Sequence, residues 1–209
     1  MSSTEDVWQG YVTAEGVHLP NPAAKELYNN GFYGQPRDDG LVLSPEEAVH
    51  LLERGKVEVT WDKERSQVCT TADLVDHFED ANPGFWGWYQ VYKDLRTRGY
   101  VVRPGFGEKS PYRRYPRGAR PNKSQSDTFV LPFLEGTFLE LHELDRIVQQ
   151  AVANRKTLVL GMVDASGDVT YYRSSEVRLP PNSEKYVFPD EVVDNPPSGP
   201  MVRDSEDDS

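Results

Sequence analysis

The chain has 209 residues, of which 37% are hydrophobic and 27% are charged, and its formal net charge is −11. This composition is typical of a folded protein with a polar surface, and it excludes a wholly disordered chain. No apolar run approaches the ~20 residues of a membrane helix, and the single Cys69 excludes an internal disulfide and a Cys-rich zinc site, so we expect a cytoplasmic protein.

Residues 1–82 are predicted to form a small α+β unit. Loose alternation over residues 7–20 indicates a hairpin, and Asn21-Pro22 begins a helix that extends to Tyr28. The remaining predicted elements are a strand at 41–43, a helix that begins with the capping box Ser44-Pro-Glu-Glu47, a strand at 57–61 and a helix capped by Thr70 or Thr71.

Residues 83–178 are predicted to form an α/β unit with a largely buried sheet. After the break at 82–84, aromatic and apolar residues at helical spacing predict a buried amphipathic helix that ends before Gly99. The other predicted elements are strands at 100–103, 112–115, 128–133, 158–163 and 169–173, and a helix from Leu139 to Ala153 with Leu141, Leu144, Ile147, Val148 and Val152 on its apolar side.

Charge is distributed unevenly along the chain. Residues 179–209 contain eight acidic and two basic residues, which account for −6 of the net charge, and six of the sixteen prolines; they predict a disordered tail. By contrast, the segment 109–123 contains no acidic residue and six basic ones: Lys109, Arg113, Arg114, Arg117, Arg120 and Lys123. A basic loop on an acidic body can bind phosphates, because salt screens charges beyond roughly 10 Å. A solvated charged loop explains the same residues equally well.

Two groups of residues suggest chemistry on RNA. Tyr112-Arg-Arg-Tyr-Pro-Arg117 contains phenols among arginines, and Arg155-Lys156 precedes an apolar run. A phenol can take the proton of a 2′-hydroxyl, and an ammonium can neutralise charge on the phosphate oxygens. The third group that this chemistry needs is an acid for the departing 5′-oxygen, usually a histidine, and none lies between Gly99 and Leu141.

Seven motifs, in a fixed order over roughly residues 20–175, resemble the archaeal tRNA-splicing endonucleases. They are Leu27–Gly34, Leu43–Ala48 and Leu51–Lys56 in the first unit, and Tyr92–Val102, Tyr115–Gly118, Arg155–Leu160 and Gly167–Tyr172 in the second. The fold class that we expect is therefore α/β: an α+β N-terminal domain (1–82), a nuclease-like C-terminal α/β domain of the catalytic type with a central mixed sheet (83–178), and the acidic tail (179–209).

The resemblance implies excision of introns from precursor tRNA at bulge–helix–bulge structures. It implies cleavage without a metal or another cofactor, with a 2′,3′-cyclic phosphate and a 5′-hydroxyl as products. By resemblance, Tyr115 would be the general base and Lys156 would stabilise the pentavalent phosphorus. Tyr115 would end a strand and Lys156 would begin one, so we expect both side chains at one edge of a sheet.

The resemblance is incomplete at the general acid. The family's catalytic histidine opens a His-Ser-x-Phe-like stretch, and alignment on Ser126 and Val130 places Gln125 at that position. A glutamine amide donates a hydrogen bond but cannot give up a proton near neutral pH. General acid catalysis is commonly worth ~10²–10⁴ in rate, so we expect the chain to be strongly slowed. Asp127 would replace the acid only if it were buried and protonated.

The four histidines lie outside this segment. We interpret His18, His50 and His77 as packing or surface residues, and His142 as a surface residue beside Arg146 on the predicted helix. No pair of histidines or acidic residues has convincing metal spacing, so a metal-dependent nuclease is disfavoured.

The resemblance also implies binding partners. Arg113, Arg114, Arg117, Arg120 and Lys123 would bind precursor tRNA, and Arg173 is a candidate for the family's clamp on a bulge base. The family works as homo- or hetero-oligomers in which an acidic loop enters a neighbouring subunit; here the loop 164–168 matches it, with Asp164 or Asp168 as the contact. A tight acidic turn is an equally good interpretation of these residues.

Two hypotheses follow from the sequence. The first is a catalytic subunit of a tRNA-intron endonuclease, which the presence of Tyr115 and Lys156 favours. The second is a structural subunit that binds RNA and a catalytic partner, which Gln125 favours.

Overall fold

Two five-stranded mixed sheets organise the part of the chain that the computed structural model describes, namely residues 7–64, 67–105 and 110–174. The fold class is α/β, as expected. Lys109 and the predicted acidic tail lie outside the described residues. Within the described residues, no helix combines the length and the apolar character that crossing a membrane requires.

The first sheet has the strand order β3-β4-β2-β1-β5, and its only parallel pair among the described strands is β1 with β5. Its elements are β1 (Trp8–Thr13), β2 (Gly16–Leu19), a 3-10 turn (Pro22–Ala24), α1 (Lys25–Gly31), β3 (Gln35–Arg37), β4 (Gly40–Leu43), α2 (Pro45–Glu53), β5 (Val57–Thr60) and α3 (Thr71–Ala81).

The second sheet has the strand order β10-β9-β8-β7-β6. Its elements are α4 (Phe85–Thr97), β6 (Val101–Arg103), β7 (Tyr112–Tyr115), β8 (Thr128–Leu134), α5 (Leu141–Ala153), β9 (Thr157–Val163) and β10 (Val169–Ser174). Strands β8 and β9 are parallel, and α5 provides the crossover that a parallel connection requires.

Local sequence signals account for most of these boundaries. Ser44 and Glu47 form the predicted capping box at the start of α2, and Thr70 forms a second one with Asp73 at the start of α3. Strand β3 was not predicted, because Gln35-Pro-Arg37 has no apolar alternation; as an edge strand it tolerates the proline.

Helix α4 contributes side chains to two hydrophobic cores. Its first turns place Phe85 and Tyr89 in the core of the first sheet, and its later turns place Val91, Tyr92 and Leu95 in a core against the second sheet. The predicted amphipathic aromatic helix is therefore confirmed as core.

Helix α5 covers the other face of the second sheet, and the apolar stripe that it buries is narrower than the sequence predicts. Ile147, Val148 and Ala151 are buried against β8 and β9. Leu141 and Val152, which we predicted on the apolar side, are instead exposed, and Leu141 is 80% accessible. The prediction was wrong at these two positions because they lie at the helix ends, beyond the reach of the sheet.

Polar contacts from the capping box of α2 join the two sheets. The Glu47 carboxylate accepts hydrogen bonds from the Gly34 and Ser44 amides and, at 3.1 Å, from the Arg103 guanidinium of β6. Both partners of this ion pair are nearly buried. Burial raises the pKa of Glu47, while the charge of Arg103 opposes the rise. The adjacent Glu46 accepts a hydrogen bond from the Tyr112 hydroxyl.

We predict that Arg103→Ala lowers the free energy of unfolding by about 3–5 kcal/mol, because it leaves a buried carboxylate without its cation. Urea denaturation measures this. The raised pKa of Glu47 sets the pH dependence: the loss is largest at neutral pH and shrinks on acidification, since a protonated Glu47 needs no cation.

Arg37→Ala is the matched control, because Arg37 pairs with Glu15 on the exposed surface at 3.3 Å. We expect it to cost under about 1 kcal/mol. Equal losses in the two variants would mean that burial of the Arg103–Glu47 pair contributes nothing to stability.

Candidate active site

Strand pairing brings Tyr115 and Lys156 to the same end of the second sheet. Arg114 pairs with Thr128 across β7 and β8, and Thr128 pairs with Thr157 across β8 and β9. The next position outward on each strand is Tyr115, Asp127 and Lys156, respectively. Asp127 makes backbone hydrogen bonds on both sides, to Arg114 and Thr157. The two residues are therefore separated by one strand, or about 10 Å of backbone.

The side chains of Tyr115 and Lys156 also share a face of the sheet. The Lys156 ammonium lies 5.6 Å from the centroid of the Phe129 ring. Phe129 pairs with Arg113, and Tyr115 lies two residues beyond Arg113 on β7, so alternation puts these side chains on one side. The face is the one that α5 covers, because Phe129 belongs to the core formed with that helix.

The two tyrosines of β7 have opposite environments. Tyr112 is buried, and its hydroxyl donates to Glu46 at 2.9 Å and contacts the Trp88 carbonyl at 3.2 Å. Burial, and then the charge of Glu46, raises the pKa of Tyr112 well above the usual range, so this phenol stays protonated. The Tyr115 ring is also largely buried, but its hydroxyl makes no hydrogen bond to any residue in the described ranges. Of the two phenols on β7, only that of Tyr115 is without a hydrogen-bond partner among the described residues.

Arg113 lies two residues before Tyr115 on β7 and on the same face of the sheet. Its Nε donates to the Pro104 carbonyl at 3.0 Å. Partial burial lowers the pKa of Arg113, the Tyr115 phenol opposes this shift, and the charge of Arg103 adds to it. Arg113 is therefore within electrostatic range of Tyr115, where it can attract a phosphate.

Lys156 is fixed at the start of β9 by the end of α5. Arg155 adopts a left-handed conformation with φ of 55°, and the amides of Arg155 and Lys156 donate to the carbonyls of Val152 and Ala151. The Lys156 ammonium donates to the Ser126 carbonyl at 2.5 Å. This contact holds the ammonium beside the segment that contains Gln125, whose own side chain is exposed.

Asp127 does not meet the condition for a substitute acid. Its carboxylate is 46% exposed and accepts from the Arg114 guanidinium at 3.2 and 3.3 Å. Arg114 also donates to the Thr128 hydroxyl at 2.7 Å. The condition was burial, and this carboxylate is neither buried nor free of a cation.

The described histidines lie away from the strand ends that carry Tyr115 and Lys156. His50 is buried in α2 between the Tyr33 and Tyr92 rings, and burial lowers its pKa to about 4. His77 lies on α3 and packs against the rings of Trp61 and Phe78. His142 is on the surface as predicted, but it contacts Glu140 rather than Arg146, at the opposite end of α5 from Lys156. A helix of 13 residues is about 20 Å long, so His142 cannot reach this site.

Two of the predicted RNA-binding arginines lie over one aromatic ring that the sequence did not single out. The guanidinium carbons of Arg114 and Arg117 lie 4.8 and 5.0 Å from the centroid of Tyr100, which directly precedes β6. Such cation–π contacts hold the start of the basic loop in place. Arg117, Arg120 and Lys123 are exposed. The only sequence signal for this role of Tyr100 is its position before a strand.

The remaining predicted contacts lie on and around β10. The Asp164 carboxylate accepts from the amides of Ser166 and Asp168 at 2.8 and 3.0 Å, which favours the tight-turn interpretation for Asp164. Asp168 and Arg173 are exposed. Their roles in subunit contact and base clamping stay predictions.

Two family models match the chain. The model described as the N-terminal domain of tRNA intron endonuclease matches residues 8–69, and the model described as its catalytic C-terminal domain matches residues 85–171.

Similar curated proteins carry the name tRNA-splicing endonuclease. One from Methanococcoides burtonii is 36% identical over 179 residues, which are 86% of this chain and 49% of the relative. One from Thermococcus gammatolerans is 37% identical over 157 residues, 75% of this chain and 90% of the relative. One from Pyrococcus horikoshii is 36% identical over 170 residues, which are 81% of this chain and 96% of the relative. The chain thus spans about half the length of some curated relatives and nearly all of others.

We predict that Tyr112→Phe and Tyr115→Phe have different effects on stability. Loss of the Tyr112 hydroxyl removes a hydrogen bond to a carboxylate, and we expect a cost of about 1–3 kcal/mol. Loss of the Tyr115 hydroxyl should change the free energy of unfolding by under about 0.5 kcal/mol, because it has no partner among the described residues. Thermal and urea unfolding of both variants measures this. A large loss for Tyr115→Phe would show that its hydroxyl has a structural rather than a chemical role.

Proposed function

Because the chain belongs to the tRNA intron endonuclease family, we propose that it is a subunit that binds precursor tRNA at a bulge–helix–bulge structure and cleaves it at the intron boundaries. The observation that carries this proposal is the position of Tyr115 and Lys156 on one face, at one end, of the second sheet. The proposed boundaries are residues 1–82 for the N-terminal domain and 83–178 for the catalytic-type domain, in a cytoplasmic protein.

The proposed chemistry is an internal transfer at phosphorus. The Tyr115 phenol takes the proton from the 2′-hydroxyl, the 2′-oxygen bonds to phosphorus, and the bond from phosphorus to the 5′-oxygen breaks. The products are a 2′,3′-cyclic phosphate and a 5′-hydroxyl. Lys156 has three N–H donors, so it can keep its contact with the Ser126 carbonyl and still donate to the phosphate oxygens.

The leaving oxygen lacks a strong proton donor in this proposal. Gln125 can hydrogen-bond to a phosphate oxygen, but the proton for the 5′-oxygen must come from water. Loss of a general acid commonly lowers the rate by ~10²–10⁴, so we expect the proposed enzyme to be slow.

A second candidate function is a structural subunit that binds RNA without cutting it. Two points favour it: the motif alignment puts Gln125 where the family has its acid, and Asp127, two residues further on, is paired with Arg114. In this case Tyr115 and the basic loop would bind RNA, and a catalytic partner would carry out the reaction.

Both candidates require an oligomer, and three exposed apolar side chains support this part of the proposal. Phe138 is fully exposed just before α5, Leu141 is largely exposed at the start of that helix, and Tyr172 is exposed on the edge strand β10. Exposed large apolar side chains and an unpaired strand edge are typical of association surfaces. We propose a homo- or hetero-oligomer, with the loop 164–168 at a contact between subunits.

We predict that Gln125→His raises the rate of cleavage of a bulge–helix–bulge RNA by ~10²–10⁴, because it restores a group that can protonate the leaving oxygen. End-labelled RNA resolved on a gel measures the rate, and a parallel reaction with a chelator tests metal independence. Tyr115→Phe added to this variant should abolish cleavage. Tyr28→Phe is its matched control, since it removes a hydroxyl from a tyrosine on α1, beside the first sheet, and should leave the rate unchanged.

The same assay separates the two candidates. Slow cutting by the unmodified chain supports the enzyme, whereas cutting that requires a second family polypeptide supports the structural subunit. If Gln125→His does not change the rate in either setting, Gln125 does not occupy the position of the acid.

We predict that replacing Arg117, Arg120 and Lys123 by alanine lowers the affinity for RNA and makes this affinity less dependent on salt concentration. Each phosphate contact contributes roughly 0.7–0.9 to the slope of log affinity against log salt, so three contacts should lower it by about 2–3. Titrations of labelled RNA at several salt concentrations measure the slope. A triple alanine variant of the exposed residues Arg37, Arg54 and Arg146 removes the same charge elsewhere; an equal effect there would mean that only net charge matters.

A further inference from the structure

A second cluster of chemically reactive side chains lines a cavity of about 270 Å³ on the first sheet. Tyr11 of β1 and His18 of β2 face each other across the hairpin, and Asp39 and Lys63 approach from neighbouring loops. None of the four has a role in the proposed cleavage site, which lies on the other sheet.

Tyr11, His18 and Asp39 form a row of polar side chains in this cavity, and the last hydrogen bond of the row is not made. The Tyr11 hydroxyl and His18 Nδ1 are 2.9 Å apart, and His18 Nε2 lies 3.3 Å from the Asp39 carboxylate. His18 is only 9% exposed, and its Nε2 is shielded from solvent without a hydrogen-bond partner among the described residues. Buried polar atoms are normally hydrogen-bonded. The Asp39 side chain is 69% exposed, so a ligand that holds this carboxylate in place would allow it to accept the missing hydrogen bond from His18 Nε2.

The hairpin turn between β3 and β4 puts Asp39 at the mouth of the cavity. Leu41 pairs with Leu19, so the turn residues that precede Gly40 lie just beyond the end of β2, and the Asp39 carboxylate reaches back to His18. On the other side, the Lys63 ammonium lies 5.4 Å from the centroid of the Tyr11 ring. The cavity therefore presents a carboxylate, an aromatic ring and an ammonium to the same ligand.

These three groups together select one kind of RNA base. An ionised carboxylate only accepts hydrogen bonds. Guanine has two neighbouring donors, N1–H and N2–H, on its Watson–Crick edge, whereas adenine and cytosine place an acceptor next to their donor and uracil flanks its donor with two acceptors. Unstacked bases are commonly held by aromatic rings and read on this edge. A lysine beside the ring provides a donor for the phosphate of the same nucleotide.

We propose that this cavity binds an unpaired guanosine nucleotide of the RNA substrate. Asp39 accepts from N1–H and N2–H of the base, the Tyr11 ring contacts its face, and Lys63 donates to its phosphate. His18 is a positioning residue, because its Nε2 would hydrogen-bond to the Asp39 carboxylate once the base fixes that carboxylate. The choice of a nucleotide as ligand rests on the proposed function, while the choice of guanine rests on the cavity.

Calorimetric titration of the full chain with GMP, AMP, CMP and UMP tests this proposal. We expect GMP to bind at least tenfold more tightly than the other three, and Asp39→Asn to remove this preference. Asp38→Asn is the matched control: it makes the same change in charge in the same turn, but Asp38 does not line the cavity. Lys63→Ala should lower the affinity for GMP to that for guanosine. Circular dichroism checks that the variants are folded, which we expect because Asp39 is exposed.

Equal affinity for the four nucleotides, or a GMP affinity that Asp39→Asn leaves unchanged, would overturn the inference. The result is independent of cleavage, because Tyr115→Phe should bind GMP normally. A chain that prefers GMP but never processes RNA would therefore contradict the proposed function and leave the cavity assignment intact.

Discussion

The buried ion pair between Glu47 and Arg103 is the contact on which the arrangement of the site depends. Glu47 caps helix α2 of the first sheet, and Arg103 ends strand β6 of the second. Its neighbour Glu46 holds Tyr112 at the start of β7. Three residues after Tyr112 the same strand presents Tyr115. A capping box that the sequence needs in order to begin a helix thus also fixes one side of the candidate active site.

The other side of the site depends on the crossover through α5. The parallel pairing of β8 and β9 puts Lys156 level with Asp127, and the left-handed Arg155 turns the chain sharply enough for Lys156 to follow the helix directly. The positions of Tyr115 and Lys156 are therefore set by contacts that do not involve residue 125. A chain with glutamine at position 125 can for this reason keep the geometry of the other groups in the proposed site.

Local patterns were sufficient to predict nearly all of the helices and strands and the fold class. They could not predict the edge strand Gln35-Pro-Arg37, whose pairing with β4 depends on backbone atoms alone. The motif order singled out Tyr115 and Lys156 as candidates, and strand pairing brings them together. It could not distinguish the environments of Tyr112 and Tyr115, because those depend on Glu46 from a distant helix. The ring of Tyr100 beneath two arginines and the group around His18 were missed for the same reason. Both are formed by residues that tertiary packing brings together, without any periodic signal.

Helix α4 has a consequence for how the molecule loses its structure. Because Phe85 and Tyr89 complete one core while Tyr92 and Leu95 complete the other, neither sheet can separate without exposing aromatic surface on this helix. Melting of the described part is therefore expected to be a single cooperative event, in which calorimetric and van't Hoff enthalpies agree. It also follows that a proteolytic nick between α3 and α4 would yield fragments that remain associated, since the aromatic helix still spans both cores.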